Sequence, residues 1–326
     1  MNIVPRRAAI AIAIAMAPLP LAAPAAPGQP FPSKPVRFIV PFVPGGGTDT
    51  FARIVGAKLT QNWGQQMIVD NRAGAQGNIG TALGAKAAPD GYTLTLAFVG
   101  TLAINPHLYR KSVFDALRDF AAVTRGTEEP WVITVHSSTP AKDIKELVAL
   151  AKRNPGKLNF ASGSSGSQLA GELFKITTGI DIVHVPYKGT APAVMDLVAG
   201  HVNITFSVPT SVLPHVKTGR LRALAVAGAK RVEMLSDVPS AVEAGFPDLD
   251  VLSWYGVAAP AATPRRIIGK LNADFVQALN SHEVREQLKG AGQVSAPSTS
   301  EEFQQQIRAD YELWGKVVRS INLKLD

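Results

Sequence analysis

The sequence predicts an α/β fold with two lobes, each a mainly parallel sheet flanked by helices, joined by two hinge crossings. Its 326 residues, 46% hydrophobic and 18% charged, are enough for two cores of ordinary domain size. From Val36 onward, short β-branched runs alternate with segments of helical period, a pattern typical of sheets covered by helices. This alternation starts again near Trp131, so we expect a second sheet there.

The first series of elements begins at the amino-terminal end of the mature chain. A helix is predicted after its first strand, because Phe51, Val55 and Leu59 fall on one helical face. Apolar, β-branched runs give the strands around this helix. The strands of the first series are predicted at 36–40, 67–69 and 93–98.

The second series has the same alternation and is long enough to be a lobe in its own right. Its predicted strands are 131–135, 158–161, 182–185, 202–206 and 223–226, and its predicted helices are 143–152, 168–177 and 192–199.

The carboxyl-terminal part predicts a return to the first lobe. It holds a strand at 251–257 and two long helices, the second of which has a capping box at Thr299 and Glu302. We therefore expect lobe I at 26–124 and 228–326 and lobe II at 125–227. The hinge crossings are then expected near 124–129 and 226–231.

The first 25 residues have the pattern of a cleaved signal peptide. Arg6 and Arg7 precede an apolar run at 8–17, and small residues follow up to a cleavage site at Ala23-Pro24-Ala25. No later stretch reaches the roughly 20 apolar residues that a membrane helix needs. We therefore expect an exported protein that is not embedded in a membrane.

Composition excludes several classes of function. The chain has no Cys, which rules out disulfide scaffolds, thiolate zinc sites, thiol nucleophiles and lipid attachment through Cys. The formal net charge of +8 favours anionic solutes. Because no block of Lys and Arg accompanies this charge, we expect no nucleic-acid partner.

Three strand-to-helix junctions carry the candidate chemistry. They lie at 41–49, 162–168 and 186–192, and each is rich in small residues ahead of a predicted helix. Unpaired backbone N–H groups at helix N-termini attract anions, so loops from facing lobes can hold a carboxylate between them. Each loop alone also has a structural interpretation, since Gly residues permit tight turns and Asp49 or Ser167 can cap a helix.

Catalytic and cofactor motifs are incomplete. The glycine-rich loop at 45–47 has Thr50 where a dinucleotide fingerprint needs its third Gly, and no Gly-Lys-Ser/Thr follows. The segment 162–167 does not match G-x-S-x-G, and the six His residues form no H-E-x-x-H pair. We therefore expect no catalytic residue, no metal site and no cofactor.

Six motifs resemble the substrate-binding receptors of tripartite tricarboxylate transporters, also called Bug receptors. The motifs span most of the mature chain: PFVPGGGTD at 41–49, VDNRAGAQGNIG at 69–80, PDGYTL at 89–94, INPHLY at 104–109, HVPYKGTAPA at 184–193 and SWYGVAAPAATP at 253–264. The resemblance implies a two-lobed, type II-like periplasmic binding protein. It also implies a monomeric, non-enzymatic receptor that captures a small organic carboxylate and delivers it to membrane transporter subunits.

The resemblance also implies a set of ligand-binding residues. Two positions depart from the family pattern, since Gln168 and Leu102 stand where His is usual, so no particular acid can be inferred. A periplasmic sensor subunit for a membrane kinase, or a secreted hydrolase, remains an alternative function. The expected ligand-binding residues are Phe42, Gly46, Gly47, Thr48, Asp49, Thr101, Ser162, Ser164, Ser165, Ser167, Gln168, Tyr187, Gly189, Thr190, Ala191 and Ser207.

Overall fold

A computed structural model describes residues 31–249, 251–320 and 322–324. The predicted signal peptide, residues 1–25, lies outside the described residues. The chain from Pro32 onward clusters into one compact unit, so the division into lobes at 124 and 228 stays a prediction. In the described part of the chain, no helix is long and apolar enough to cross a membrane.

The strands and helices alternate as the sequence predicts. The strands are β1 (Val36–Val40), β2 (Met67–Asn71), β3 (Thr93–Phe98), β4 (Phe120–Pro130), β5 (Val132–His136), β6 (Asn159–Ser162), β7 (Val183–Pro186), β8 (Ile204–Ser207), β9 (Leu221–Val226), β10 (Leu252–Pro260) and β11 (Val294–Ser295). The helices are α1 (Gly47–Trp63), α2 (Asn78–Ala85), α3 (Asn105–Leu108), α4 (Ile144–Arg153), α5 (Ser165–Thr178), α6 (Thr190–Ala199), α7 (Pro209–Lys217), α8 (Arg265–Asn280), α9 (His282–Gly290) and α10 (Ser300–Ser320).

Two sheets organise these strands, which confirms the predicted α/β architecture. The six-stranded sheet has the order β11-β4-β10-β3-β1-β2, and the five-stranded sheet has the order β7-β6-β8-β5-β9. Both sheets are mixed rather than mainly parallel. β1, β2 and β3 pair in parallel, as do β6, β7 and β8, whereas β4, β5, β9 and β10 pair antiparallel to their neighbours.

The long strands β4 and β10 explain the antiparallel half of the first sheet. β10 pairs with β4 along its whole length, from Leu252 opposite Pro130 to Pro260 opposite Phe120. β4 leads directly into β5 of the second sheet, with Trp131 between them. The chain therefore passes between the sheets as a nearly continuous extended segment, close to the predicted crossing at 124–129.

Each sheet has its own apolar packing. In the first sheet Phe38 contacts Phe275 of α8, with ring centroids 6.3 Å apart, and the Trp254 ring lies edge-on to Phe303 of α10. In the second, one buried cluster joins strands and helices, including Val132, Ala161, Leu197, Val212 and Val226. Burial of such side chains contributes roughly 1.5–3 kcal/mol each relative to exposure, so each sheet holds its own loops in place.

Candidate functional site

A cleft between the two sheets collects the ends of several strands and the beginnings of several helices. Its empty volume is about 540 Å³, with open solvent at its mouth included. Ligands of α/β sheets bind beyond the carboxyl ends of the strands, which is where this cleft lies. The elements of the first sheet contribute Phe42, Val43, Gly46, Gly47, Thr48, Phe98 and Tyr255. The segments around the second sheet contribute Trp131, Ser164, Gly189, Thr190, Ala191, Val208 and Ser211.

The three predicted loops meet at this cleft. A Cβ atom added at Gly189 would lie 3.3 Å from Cγ2 of Val43, which belongs to the loop after β1. A Cβ added at Gly163 would lie 2.2 Å from the carbonyl carbon of Gly189, so the loops after β6 and β7 are in contact. These close approaches require glycine at position 163, because any side chain there would overlap backbone atoms.

Helices α1 and α6 present uncapped N-termini to the cleft from opposite sides. The N-cap of α1 is Gly46 and that of α6 is Gly189, and neither helix has a side-chain cap hydrogen bond. Four N–H groups at the start of a helix have no partner within the helix. The two glycines, together with Gly47, Thr48 and Thr190, therefore surround a region of positive backbone polarity that suits an anion.

Helix α5 differs, because its own serines form a capping box at its first turn. The Ser164 side chain accepts a hydrogen bond from the Ser167 backbone N–H, at 3.3 Å. The Ser167 hydroxyl accepts from the N–H groups of Gly163 and Ser164, both at 3.1 Å. This reciprocal box leaves α5 fewer donors for a ligand than α1 or α6. Of the predicted residues in this loop, only Ser164 lines the cleft.

Asp49 lies at the base of its loop and holds the loop's shape. Its carboxylate accepts from the Gly45 backbone N–H at 3.0 Å, from Arg53 Nε at 2.9 Å and from Asn71 Nδ2 at 3.0 Å. The same Asn71 amide donates to the Phe42 carbonyl at 3.0 Å. Burial alone would raise the pKa of Asp49, but these hydrogen bonds and the Arg53 charge hold it below the ordinary value. Asp49 is thus an ionised residue that fixes the shape of its loop, and it is not among the residues that line the cleft.

The remaining serines and Gln168 stand behind the cleft wall. Ser162 Oγ and His184 Nε2 form a hydrogen bond of 2.6 Å. Ser207 Oγ lies 2.9 Å from Thr205 Oγ1. Ser165 Oγ and Gln168 Oε1 are buried without a hydrogen-bond partner. None of these four predicted residues, Ser162, Ser207, Ser165 and Gln168, is among those lining the cleft.

Tyr187 and Thr101 also make contacts within the protein rather than at the cleft. The Tyr187 hydroxyl donates to Asp196 Oδ2 at 2.6 Å, and burial, with this carboxylate, raises the pKa of Tyr187 to about 12. Thr101 is buried in a π-helical turn, Gly100–Ile104, and donates to the Phe98 carbonyl at 3.1 Å. Such turns interrupt regular helices and often occur near functional sites. Here the turn follows Phe98, which does line the cleft.

Several lining residues escape prediction from sequence. Phe98, Trp131 and Tyr255 fall within or beside predicted strands, where an aromatic side chain indicates a core position as readily as a binding wall. Val208 and Ser211 belong to the start of α7, a helix the sequence analysis does not anticipate. For all five of these lining residues, the sequence feature that could indicate a place in the cleft is position near the end of a strand. Ligands of α/β sheets bind beyond the carboxyl ends of the strands.

The first-sheet side of the cleft is an aromatic wall. Phe42 and Phe98 meet edge to face with centroids 5.5 Å apart, and Phe98 and Tyr255 are tilted with centroids 5.8 Å apart. Behind this wall Glu129 is fully buried, and burial raises its pKa to about 8. Neither Glu129 oxygen makes a well-formed hydrogen bond, although the hydroxyls of Tyr255 and Thr127 lie close enough to lower its pKa in part.

The buried acid and the tyrosine keep the back of the cleft neutral. Burial, together with Glu129, raises the pKa of Tyr255 well above its usual range, so its hydroxyl stays protonated. At pH 7 Glu129 is mostly a neutral acid, because its pKa lies above that pH. Across residues 31–249, 251–320 and 322–324, no group of three His, Cys, Asp or Glu side chains is arranged to hold a metal ion.

The same chain aligns with known receptors over most of its length. It matches the family model of the tripartite tricarboxylate transporter family receptor over residues 51–323. It is 37% identical over 308 residues to BugT of Bordetella pertussis, an alignment that covers 94% of each protein.

Solved structures agree with the sequence comparison. One, a periplasmic transporter, is 42% identical with a TM-score of 0.87, and the match covers 91% of this chain and 100% of the other. Another, R. palustris Rpa4515 with adipate, is 34% identical with a TM-score of 0.87, covering 90% of this chain and 99% of the other. The resemblance seen in the motifs is therefore confirmed, and the chain belongs to the tripartite tricarboxylate transporter receptor family.

Proposed function

We propose that this chain is a periplasmic receptor that captures a small organic carboxylate in the cleft between its sheets and delivers it to membrane transporter subunits. The observation that carries this proposal is the pair of glycine-capped helices, α1 and α6, whose unbonded N-termini reach one cleft from different sheets. The adipate bound to the 34% identical Rpa4515 supports the same ligand class. In this proposal residues 1–25 direct export and are then removed.

The carboxylate is held without a dedicated cation. Within the described residues no Arg, Lys or His side chain lines the cleft, so backbone N–H groups and the hydroxyls of Thr48, Ser164, Thr190 and Ser211 supply the donors. A hydrogen bond to a charged group contributes roughly 1.5–3 kcal/mol. Two or three such bonds supply roughly 3–9 kcal/mol before the costs of association, so an affinity near micromolar, about −8 kcal/mol, also draws on the two helix dipoles and on burial of the ligand's apolar body in the cleft.

Because α1 and α6 belong to different sheets, a ligand bound to both helix N-termini becomes part of the contact between the two sides of the cleft. Gly47 and Thr210 already approach each other across the cleft, since a Cβ at Gly47 would lie 3.3 Å from Thr210 Oγ1. A ligand that bonds both α1 and α6 favours the closed arrangement by its differential affinity for that state. In this proposal lobe I comprises 26–124 and 228–326, lobe II comprises 125–227, and the segments 124–129 and 226–231 are the hinges.

An enzymatic function has weaker support. The Ser162–His184 pair is the arrangement that most resembles a nucleophile and its base, but neither residue lines the cleft. Burial lowers the pKa of His184, and this side chain packs against Phe160 with centroids 4.9 Å apart. A structural hydrogen bond accounts for this geometry.

Ligand-linked stabilisation tests the proposed function directly. A ligand that binds only the folded state raises the free energy of unfolding by RT ln(1 + [L]/Kd), about 2.7 kcal/mol at a hundredfold excess over Kd. Members of a carboxylate library should raise the melting temperature of the purified mature protein. The matching amides and alcohols should leave the melting temperature unchanged. If no carboxylate in a broad library stabilises the protein, or if neutral analogues stabilise it equally, the proposal is wrong.

A further inference from the structure

The walls of the cleft differ in character from its anchor. Beyond the N-termini of α1 and α6, the lining is dominated by Phe42, Phe98, Tyr255, Trp131 and Val208. In the described part of the chain, no acidic or basic side chain reaches this lining. Glu129 lies behind Tyr255 and the buried Asp49 follows Thr48 at the base of its loop, and neither acid carries a positive charge in either protonation state.

A second carboxylate would meet these walls without a cation to compensate its charge. Moving an ionised carboxylate out of water is costly unless a cation or several donors replace its hydration. The uncapped helix ends serve the first carboxylate, and at α5 the Ser167 N–H is already bonded to the Ser164 side chain. The aromatic wall therefore disfavours a second charge and favours an apolar body.

The rings are arranged to accept another ring. Phe42, Phe98 and Tyr255 already pair edge to face or tilted, with centroid separations of 5.5 and 5.8 Å. Trp131 stands on the second-sheet side of the same cleft. Aromatic groups prefer edge-to-face or offset contacts at about 4.5–7 Å, so a flat ring between these walls finds partners on both sides.

Building on the proposed function, we propose that the ligand of this receptor is an aromatic monocarboxylate, with its single charged group at α1 and α6 and its ring between the aromatic walls. This ligand class differs from the adipate of Rpa4515, which has two carboxylates and no ring.

Trp131 adds a point of recognition on the ring. Its side chain is buried, with 3% of the residue exposed, and its indole Nε1 has no hydrogen-bond partner. A buried donor without a partner is rare in proteins and calls for an explanation. Because Trp131 lines the cleft, a small rotation of its indole would bring this donor to an acceptor on the ligand, such as a ring nitrogen or a hydroxyl or methoxy oxygen.

A calorimetric panel separates this inference from the proposed function. The aromatic set is benzoate, 4-hydroxybenzoate, phenylacetate and nicotinate; the comparison set is cyclohexanecarboxylate, adipate, malate and citrate. We expect the best aromatic monocarboxylate to bind at least tenfold more tightly than any member of the comparison set. A di- or tricarboxylate, or cyclohexanecarboxylate, that binds as tightly would overturn the inference and leave the proposed function intact. Failure of every carboxylate would instead count against the function itself.

A charge placed on the wall gives a second test. Val43 lines the cleft and is 39% exposed, so Val43→Lys can introduce a cation without burying it in the core. Ile68→Lys is the matched control, because Ile68 is 48% exposed on β2 and is not among the lining residues. We expect Val43→Lys to raise adipate affinity relative to benzoate at least fivefold and Ile68→Lys to leave the ratio unchanged. An unchanged ratio in both variants would overturn the account of why the second charge is excluded.

The indole donor is tested by Trp131→Phe, which keeps a ring and removes Nε1. The affinity for the tightest acceptor-bearing aromatic acid should fall at least fivefold more than the affinity for benzoate, which has no acceptor on its ring. Equal losses for both ligands would show that Trp131 contributes packing alone.

Discussion

At the scale of single residues, Gly46 is a cleft-lining position where an added Cβ meets no protein atom. A Cβ there would have no atom within 4 Å, and its φ of −85° suits any residue. Gly47, by contrast, leaves no room, because a Cβ would lie 2.8 Å from the Tyr255 hydroxyl. These neighbouring glycines therefore separate an effect on binding from an effect on folding.

We predict that Gly46→Leu weakens carboxylate binding by at least tenfold and leaves the melting temperature of the free protein within about 2 °C. The leucine side chain fills the space beside the α1 N-terminus, where the ligand would otherwise receive backbone hydrogen bonds. Calorimetry and thermal unfolding measure the two effects. Lys188→Ala is the control, since Lys188 is an exposed cation on the neighbouring loop. A larger loss of affinity in Lys188→Ala would contradict a backbone anchor.

Glu129 links the buried back of the cleft to the pH dependence of stability. In the unfolded chain its carboxyl ionises near its ordinary pKa of 4.5, whereas in the folded protein burial raises the pKa to about 8. Between these values the folded state binds a proton that the unfolded state has released. The free energy of unfolding therefore falls as pH rises through this window, by up to about 1.4 kcal/mol per pH unit.

Glu129→Gln should remove this dependence, because the amide does not titrate and has nearly the same shape. We expect the variant and the wild type to differ little at pH 5 and the variant to become progressively more stable than the wild type up to pH 8. Denaturant unfolding of both proteins at several pH values measures the difference, in which contributions of other groups cancel. A difference that does not change with pH would show that Glu129 is ionised in the folded protein.

At the scale of elements, the three strand-to-helix loops are alike in sequence and different in use. Gly46 and Gly189 leave α1 and α6 open, whereas Ser164 and Ser167 close α5 on itself. The sequence predicts all three junctions because small residues between a β-branched run and a helical period are a local signal. The local sequence does not distinguish residues that contact a ligand from residues that cap a helix. The distinction depends on whether each hydroxyl bonds to its own backbone or points into the cleft.

Removing the α5 cap should cost stability. In Ser167→Ala the backbone N–H groups of Gly163 and Ser164, each now bonded to Ser167 Oγ at 3.1 Å, would lose their buried acceptor. We predict a decrease of about 2 kcal/mol in the free energy of unfolding, because a buried donor left unpaired costs roughly 1–3 kcal/mol. Denaturant titration measures it. Thr218→Ala is a control, since Thr218 hydrogen-bonds at the exposed end of α7. Equal, small effects in both variants would contradict the buried box.

Elements set by distant contacts are harder to predict from sequence than those set by local pattern. The strand predicted at 223–226 is observed as Leu221–Val226, whereas the sequence predicts only a hinge crossing where β4 lies. The sequence of β4 includes the charged residues Arg125 and Glu129, which do not suggest a buried strand. In the structure Arg125 donates a hydrogen bond of 2.8 Å to the carbonyl of Ala296, a residue far away in the sequence. The helix α7 contains Pro214, which reads as a helix breaker in sequence.

At the scale of the whole molecule, the sequence predicts two α/β units from a repeated alternation but misses the mixed strand pairing. Parallel pairing follows where a helix separates consecutive strands, as between β6 and β7, so local pattern suffices there. The antiparallel half depends on β10 returning between β3 and β4, a topology without a local signature. Phe42 of the aromatic lining is among the expected residues, whereas Phe98, Trp131 and Tyr255 escape prediction for the same reason, because only that topology brings them to one cleft.

The placement of α1 and α6 on different sheets predicts a change of shape on binding. Each helix end supplies part of the anchor, so the ligand gains its full set of hydrogen bonds only when both sides meet it, and its binding shifts the population toward the closed state. We expect small-angle X-ray scattering to show a smaller radius of gyration at saturating carboxylate than in ligand-free protein. With the ligand at about ten times the wild-type Kd, the Gly46→Leu variant should show a smaller decrease, in proportion to its lower occupancy, which separates closure from an effect of the solute on scattering. Equal radii for wild-type protein with and without bound ligand, with occupancy verified by calorimetry, would show that the two sides are fixed and that the cleft binds without closing.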